Sequence, residues 1–478
     1  MAALFLGPVG IALGGEPAVV ADSRIAREIQ AGDFAFDHAA PPESPLLGRL
    51  RFLRKPSDSL FARTELIRNA RHSIYAGYFT VWNDDVFGRQ FLGLLLQKAK
   101  EGVKVKLEVD GRGFPFVRND WLQELVNHGA EVRVFNPIFN RHLSILGSLV
   151  AYHQKILLVD GKWFITGGRN VGDRYFLEQG EASKVYWDSD VAVEFQSLPV
   201  GLIQAYNDEF YSEPSKIVPP DLFGNWFSKE PKMMKAVAAL DDRMDHTTLS
   251  KKSLKDHREL DRMKSLVGRP QFRLWTSDEL SPVRVLDNYS HFGPKKSLSK
   301  GLFELMDEAS EEIMIQNPYL VLTPECAEHL ERAARERHVK VRFAVTSPTS
   351  TDSLLTQSVL TFEWKKIARQ IPGIEINGAV GPEDLHAKIF VFDRKKVAVG
   401  SYNMDAMSQN RNAELALVAD SPSLAGEIGA EIDRFIHEQS VQYDPDAELG
   451  PEQIPGSAEH IEKLKVYYGL ASWFRPIL

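Results

Sequence analysis

The chain has 478 residues, with 57 Lys and Arg against 65 Asp and Glu, a net charge of −8 and 44% hydrophobic residues. This is globular composition, long enough for about three ordinary domains, and it excludes disordered and collagen-like classes. The acidic balance argues against a general nucleic-acid binder, which needs basic surface for phosphates. The single cysteine, Cys326, excludes an internal disulfide framework and a cysteine-rich zinc site.

In chain order, residues 1–45 are rich in Gly, Pro and Ala and are expected to be peripheral. Their apolar start lacks the basic n-region of a signal peptide, so export is only weakly signalled. Beyond the first twenty residues no apolar run is long enough to span a bilayer. His72 to Tyr78 reads as a strand, Phe87 to Lys100 as an amphipathic helix and Val103 to Val109 as a second strand. Leu143 to Ala151 is apolar, fitting either an acyl-chain rim or a buried loop, with His142 beside it at the surface. Ser212 to Pro220 reads as a connector, followed by a charged, Met-rich stretch. Trp226 to Met234 fits an interfacial patch or a connector packed on the domains. Glu312 to Pro318, Pro324 to Arg335 and Val339 to Val345 then repeat strand, helix, strand. Cys326 opens that helix and is expected to pack rather than react. The tail opens with acidic turn residues and ends in an aromatic, apolar stretch.

The chain also repeats itself. Tyr152 to Asn170 reads YHQKILLVDGKWFITGGRN, and Leu385 to Asn403 reads LHAKIFVFDRKKVAVGSYN. His, Lys, Asp and Asn fall at the same spacing in both, 233 residues apart. Duplication of a domain is the simplest account. Two strand-helix-strand units predict an α/β fold, with mixed sheets flanked by helices in both halves. The expected divisions are a peripheral segment 1–45, a first domain 46–215, a connector 216–265, a second domain 266–440 and a tail 441–478.

Residues i and i+2 of a strand share a face, so His153 projects with Lys155 and His386 with Lys388. A turn at Asp160 or Asp393 returns the chain, bringing Asn170 or Asn403 back beside its histidine. Two such sets facing each other form one site between the halves. One imidazole attacks phosphorus, and the other moves a proton to the leaving oxygen and from the incoming one. Two lysines and two asparagines donate to the phosphoryl oxygens, so neither metal nor cofactor is called for. A carboxylate should fix each imidazole. By chain order Glu414 is expected on His386, and Asp188 on His153 with Asp190 as its alternative. Asp160 and Asp393 are read as holding hairpin geometry.

The His153-x-Lys155-x4-Asp160 and His386-x-Lys388-x4-Asp393 pair resembles the twin HKD motifs of the phospholipase D superfamily, and Gly167-Gly-Arg-Asn170 and Gly400-Ser-Tyr-Asn403 fit its extensions. Across residues 55 to 475 the chain looks most like bacterial cardiolipin synthases of the short type without paired N-terminal membrane helices. The resemblance implies a duplicated phospholipase D-like fold with one site at the interface of the halves. It implies His153 as nucleophile and His386 as general acid and base. Phosphatidyl transfer to phosphatidylglycerol would follow, with phospholipids and a membrane surface as partners, no nucleic acid and no obligate protein partner. Peripheral attachment to the bacterial cytoplasmic membrane is the matching location. A phospholipase D releasing phosphatidic acid and a metal-independent nuclease use the same chemistry. Met407-Ser408 replaces the usual Arg-Ser, which leaves the acceptor open.

Overall fold

The computed structural model describes residues 46–112, 119–136, 150–178, 182, 184–212, 215–218, 228–244, 274–288, 296–381 and 383–474. The first-half strands are β1 (Leu46–Leu53), β2 (Ser73–Tyr78), β3 (Lys104–Asp110), β4 (Glu131–Phe135), β5 (Lys155–Val159), β6 (Trp163–Gly167), β7 (Tyr186–Trp187), β8 (Asp190–Phe195) and β9 (Ser215–Ile217). The second half supplies β10 (Leu280–Asp287), β11 (Glu312–Gln316), β12 (Lys340–Val345), β13 (Glu375–Ala379), β14 (Asp384–Leu385), β15 (Ile389–Phe392), β16 (Lys396–Gly400), β17 (Leu415–Asp420) and β18 (Ser440–Gln442).

Among the described residues sixteen strands form one sheet, in the order β18-β13-β12-β11-β15-β16-β17-β10-β1-β8-β6-β5-β2-β3-β4-β9. Read outward from β1 and β10, the two arms have the same order. The duplication therefore folds as two equivalent half-sheets joined at an antiparallel seam, with Leu46 opposite Val283 and Arg49 opposite Leu280. In each arm the strand-helix-strand units give parallel pairs, β2 with β3 and β11 with β12, and the hairpins give antiparallel ones.

Three apolar layers follow. One face of the first half-sheet packs Leu107, Val109 and Ile165 under helices Pro56–Asn69, Val86–Lys100 and Asn119–Asn127. The second half-sheet likewise packs Phe343, Phe390 and Val418 under Ser297–Glu308, Pro324–Arg337 and Leu354–Gln370. The third layer draws on both halves, joining Ile156, Val193 and Ile203 to Ile389, Leu417 and Phe435. Each fully buried aliphatic side chain contributes about 1.5–3 kcal/mol, so this shared layer welds the halves. Sequence cues set the helix starts. Pro324 follows Thr323, whose hydroxyl takes the Cys326 amide at 3.2 Å. Cys326 is buried, and burial pushes its thiol up to about 12, as packing rather than reactivity requires.

Described parts of the expected connector and of the tail pack onto the half-sheets' own helices and strands. Helix Glu230–Met244, inside the expected 216–265 connector, lies on Val86–Lys100, where Gly93 leaves no room for a side chain against Val237 and Met233. In the tail, β18 pairs with β13, and helix Ser457–Phe474 packs along Leu354–Gln370. The N-terminal 1–45, His142 with most of the Leu143–Ala151 stretch, and Trp226 with Phe227 lie outside the described residues. No helix among the described residues is long and apolar enough to cross a membrane.

Candidate active site

The hairpins that carry the repeated motif are fixed at their far ends. Asp160 and Gly161 both adopt positive φ (52° and 64°), as do Asp393 and Arg394 (both 51°), the pattern of a tight turn matched to strand twist. The Asp160 carboxylate accepts the backbone N–H groups of Arg71, His72 and Ser73 at 2.8–2.9 Å. Asp393 does the same for Ser310, Glu311 and Glu312. Each aspartate thus ties its hairpin to the start of β2 or β11, the geometric role read from the sequence.

At the other end the two halves meet. Tyr152 makes a parallel bridge with Ala413, and the His153 N–H donates to the Ala413 carbonyl at 2.9 Å. In mirror fashion β14 pairs with β7, and the His386 N–H donates to the Trp187 carbonyl at 2.8 Å. Each histidine is therefore laid against the chain that leads into the opposite half's acid. His153 Nδ1 lies 2.9 Å from Glu414 Oε2, and His386 Nδ1 lies 2.7 Å from Asp188 Oδ2. This reverses the expected assignment of Glu414 to His386 and Asp188 to His153. Proximity along the chain suggested pairing within a half; the bridges across the interface impose pairing between halves.

Asp190, the alternative on His153, is also corrected. Its carboxylate, fully buried, takes Arg63 at 2.9 Å, Arg169 at 3.1 Å and the Ser59 hydroxyl at 2.5 Å. Arg169 further donates to the carbonyls of Leu53, Arg54 and Tyr175. Asp190 thus anchors β1 and the 56–69 helix to β8.

The Glu414 carboxylate is held by Ser401 Oγ at 2.5 Å, Ser408 Oγ at 2.7 Å and Asn412 Nδ2 at 3.2 Å. Sequence reasoning passed over Ser401 and Asn412, although Ser401 stands at a motif position where the copies differ. Its counterpart is Gly168, where a Cβ would sit 2.1 Å from Asp188 Oδ1. Asp188 instead receives the Ser189 N–H at 2.7 Å. The two acids are equivalent in place and different in support.

The histidines, lysines and carboxylates are buried or nearly so. Burial lowers the His153 pKa to about 4, with the lysine charges acting the same way and Glu414 opposing. Burial also lowers His386, helped by Lys388 and opposed by Asp188. Burial and mutual repulsion bring Lys155 down to about 7, and burial brings Lys388 down to about 8 against the neighbouring carboxylates. Burial alone would raise Glu414 and Asp188; the facing histidines and nearby cations outweigh it and leave both below the ordinary carboxylate range. A carboxylate only accepts, so Nδ1 of each neutral imidazole carries the proton and Nε2 keeps its lone pair.

The donors are close at hand. Lys155 Nζ donates to the His153 carbonyl and Lys388 Nζ to the His386 carbonyl, leaving further protons on each ammonium. Asn170 spends one Nδ2 proton on Tyr175 Oη at 2.9 Å and accepts the Thr80 N–H at 3.2 Å. Asn403 is buried, its N–H on Ser408 Oγ at 3.3 Å. Phe79 stands edge-on to His153 with centroids 5.3 Å apart, and Tyr175 stands edge-on to His386 at 5.5 Å. Neither aromatic was singled out from sequence, since each lies outside the repeated motif.

Comparison with known proteins bears on the family and the fold. The family model described as "Cardiolipin synthase, PLD-like domain" matches twice, at residues 64–198 and 302–436. Cardiolipin synthase C of Escherichia coli is 30% identical over 427 residues, covering 81% of this chain and 84% of that protein. Cardiolipin synthase A of Pseudomonas aeruginosa is 25% identical, covering 83% of this chain and 69% of that protein. Among solved structures, the phosphatidylserine synthase of Haemophilus influenzae superposes with a TM-score of 0.64 at 16% identity, covering 91% of this chain and 98% of that one, which is a likeness of fold.

Proposed function

The chain belongs to the cardiolipin synthase, phospholipase D-like family, and on that premise we propose that it moves a phosphatidyl group onto the hydroxyl of phosphatidylglycerol through a phosphohistidine. The single observation that carries the mechanism is the crossed pair of His–carboxylate contacts, His153 with Glu414 and His386 with Asp188. It leaves two Nε2 atoms for chemistry in one buried, lysine-lined pocket.

In the first step His153 Nε2 attacks phosphorus. The P–N bond forms, the bond from phosphorus to the headgroup oxygen breaks, and that oxygen takes a proton from the His386 imidazolium. In the second step the acceptor hydroxyl attacks phosphorus and gives its proton back to His386, and the P–N bond breaks. Lys155, Lys388, Asn170 and Asn403 donate to the phosphoryl oxygens throughout. Glu414 stabilises the charge that His153 gains on attack. Burial depresses both lysines and His386 in the empty pocket, and an arriving phosphodiester anion reverses that, so substrate recruits its own acid. Phospholipids are the substrates, and the protein works peripherally on a membrane surface.

Pure protein with phosphatidylglycerol vesicles should yield cardiolipin and glycerol. Phosphatidic acid as the sole product would move the assignment to a hydrolase; Met407, where an arginine is usual, leaves the acceptor open. His153→Ala should lose at least about a thousandfold in turnover, as for loss of a covalent nucleophile, and should yield no acid-labile phosphoprotein.

A further inference from the structure

The two half-sheets are equivalent, so each position in one has a counterpart in the other. Comparing them exposes a cavity of ≈ 290 Å³ in the first half, at the end of the strands remote from Lys155, beneath helix Val200–Phe210. Its counterpart in the second half is filled by an ion network. Arg342 bonds Asp433 at 2.7 Å, Glu312 at 3.0 Å and Glu375 at 3.1 Å, and Arg394 bonds the same Asp433 and Glu312 at 2.7 and 3.1 Å.

The strand registers and the common turn give the equivalences. Lys106 stands for Arg342, Ser73 for Glu312 and Gly161 for Arg394. Asn207 stands for Asp433, each lying thirteen residues beyond the strand residues Glu194 and Asp420, which face equivalent partners. The first half thus keeps a cation while two of the three acids have become neutral; the third, Glu375, has Glu131 as its counterpart, which takes the Tyr211 hydroxyl at 2.6 Å. The arginine that plugs the space has become glycine. A reciprocal change accompanies it. Arg394 lies over Gly429, whereas Gly161 lies under Ile203, with the side chains exchanged between strand turn and helix. The plug is thereby replaced by an apolar floor of Leu158, Ile203 and Tyr206, all buried.

Around this floor stand Arg71 and Lys104, where the second half has Ser310 and Lys340, together with Lys106, whose ammonium is held by Asn207 Oδ1 at 2.8 Å. Three cations and an amide over an apolar base define a ligand chemistry. We propose that this cavity is a second binding site, separate from the catalytic pocket, for an anionic amphiphile: a phosphate ester whose head meets Arg71, Lys104 and Lys106 and whose first carbons lie on Leu158 and Ile203. The volume accommodates about ten non-hydrogen atoms at the volume share of a water molecule, enough for a phosphate and a short chain. Charge-assisted contacts fix the head, and burial of the chain adds to affinity.

Calorimetric titration of the full-length protein with hexyl phosphate, inorganic phosphate and hexanol tests this. Hexyl phosphate should bind at least about tenfold more tightly than either of the other two. Restoring the acids of the second half, in S73E/N207D, should weaken hexyl phosphate binding by at least about tenfold while leaving phosphatidyl transfer unchanged. Lys104→Ala, at an exposed position that cannot disturb the core, should weaken it in the same direction. Binding indifferent to all three substitutions would place the ligand elsewhere and overturn the site. Equal affinity for inorganic phosphate would remove the apolar floor from the account and overturn the amphiphile. With the hexyl phosphate results in hand, sedimentation with phosphatidic acid vesicles separates two sources of the same chemistry. Vesicle binding lost in S73E/N207D assigns a lipid headgroup, and vesicle binding retained assigns a soluble ester.

Discussion

At the residue scale, the contacts that matter most are those each catalytic group makes with the other half. If Glu414 serves His153, the two should be coupled in a double-mutant cycle on kcat/KM, while His153 and Asp188 should be more nearly additive. An interaction of about 1–3 kcal/mol for the first pair is expected; a larger value for the second pair would restore the within-half assignment. A different buried acid carries a pH prediction. Glu209 is wholly buried, and its carboxyl is driven well above the ordinary range by burial and by the Glu108 and Asp287 carboxylates, with Gln154 the opposing contact. Such a carboxyl keeps its proton in the folded chain above pH 4.5, where the unfolded chain releases it. Folding stability from this group therefore falls as pH rises beyond that value. Glu209→Gln should raise stability at pH 7 by about 1–2 kcal/mol and have little effect near pH 4. Denaturant melts at the two pH values read this directly, and an equal effect at both would contradict the protonation argument.

At the scale of elements, the motif hairpins and one helix pair give the sharpest expectations. Asp160→Ala leaves three backbone donors of the β2 approach without their acceptor and removes a residue type suited to positive φ. A loss of about 2–3 kcal/mol is expected, measured by the urea midpoint. Gly93→Ala pushes helix Glu230–Met244 off helix Val86–Lys100, since the added carbon would stand 2.8 Å from the Met233 carbonyl oxygen. Overpacking of this kind costs about 1–3 kcal/mol, and a neutral result would mean that the two helices slide apart freely. These elements also show what could be read before the fold. Strands β2, β3, β11 and β12 and helices Val86–Lys100 and Pro324–Arg337 follow local periodicity, and their existence was legible. The His, Lys, Asp and Asn of both hairpins were legible because a duplicated chain prints its chemistry twice. The acid assignment was not, because Asp188 lies in the link between β7 and β8, and its place in the chain says nothing about which imidazole waits there. Ser401 and Asn412 escaped for a related reason: they touch Glu414, whose own partner lies 261 residues away. Glu230–Met244 was read with a connector because charge and Met content describe a surface, and only its docking on Gly93 shows which half it serves.

At the scale of the whole molecule, the seam between β1 and β10 and the apolar layer shared by both arms predict one cooperative unit. Loss of activity and loss of helical signal should coincide in denaturant, with a single transition. Two separated transitions would mean that each half-sheet holds itself together. The pairing of β18 with β13 and of β9 with β4 caps the outermost strands of both arms with short ones, which limits the edge open to other chains.

The crossing of the carboxylates has a consequence for synthesis. A ribosome delivers His153, Lys155 and Asn170 long before Glu414 exists, and delivers Asp188 long before His386. The nascent first half therefore carries an imidazole with no orienting acid and an acid with nothing to orient. The pair is complete only when residue 414 has been made and seated beside residue 153. The same interface that completes the site thus serves as a clock, set by synthesis of the second half.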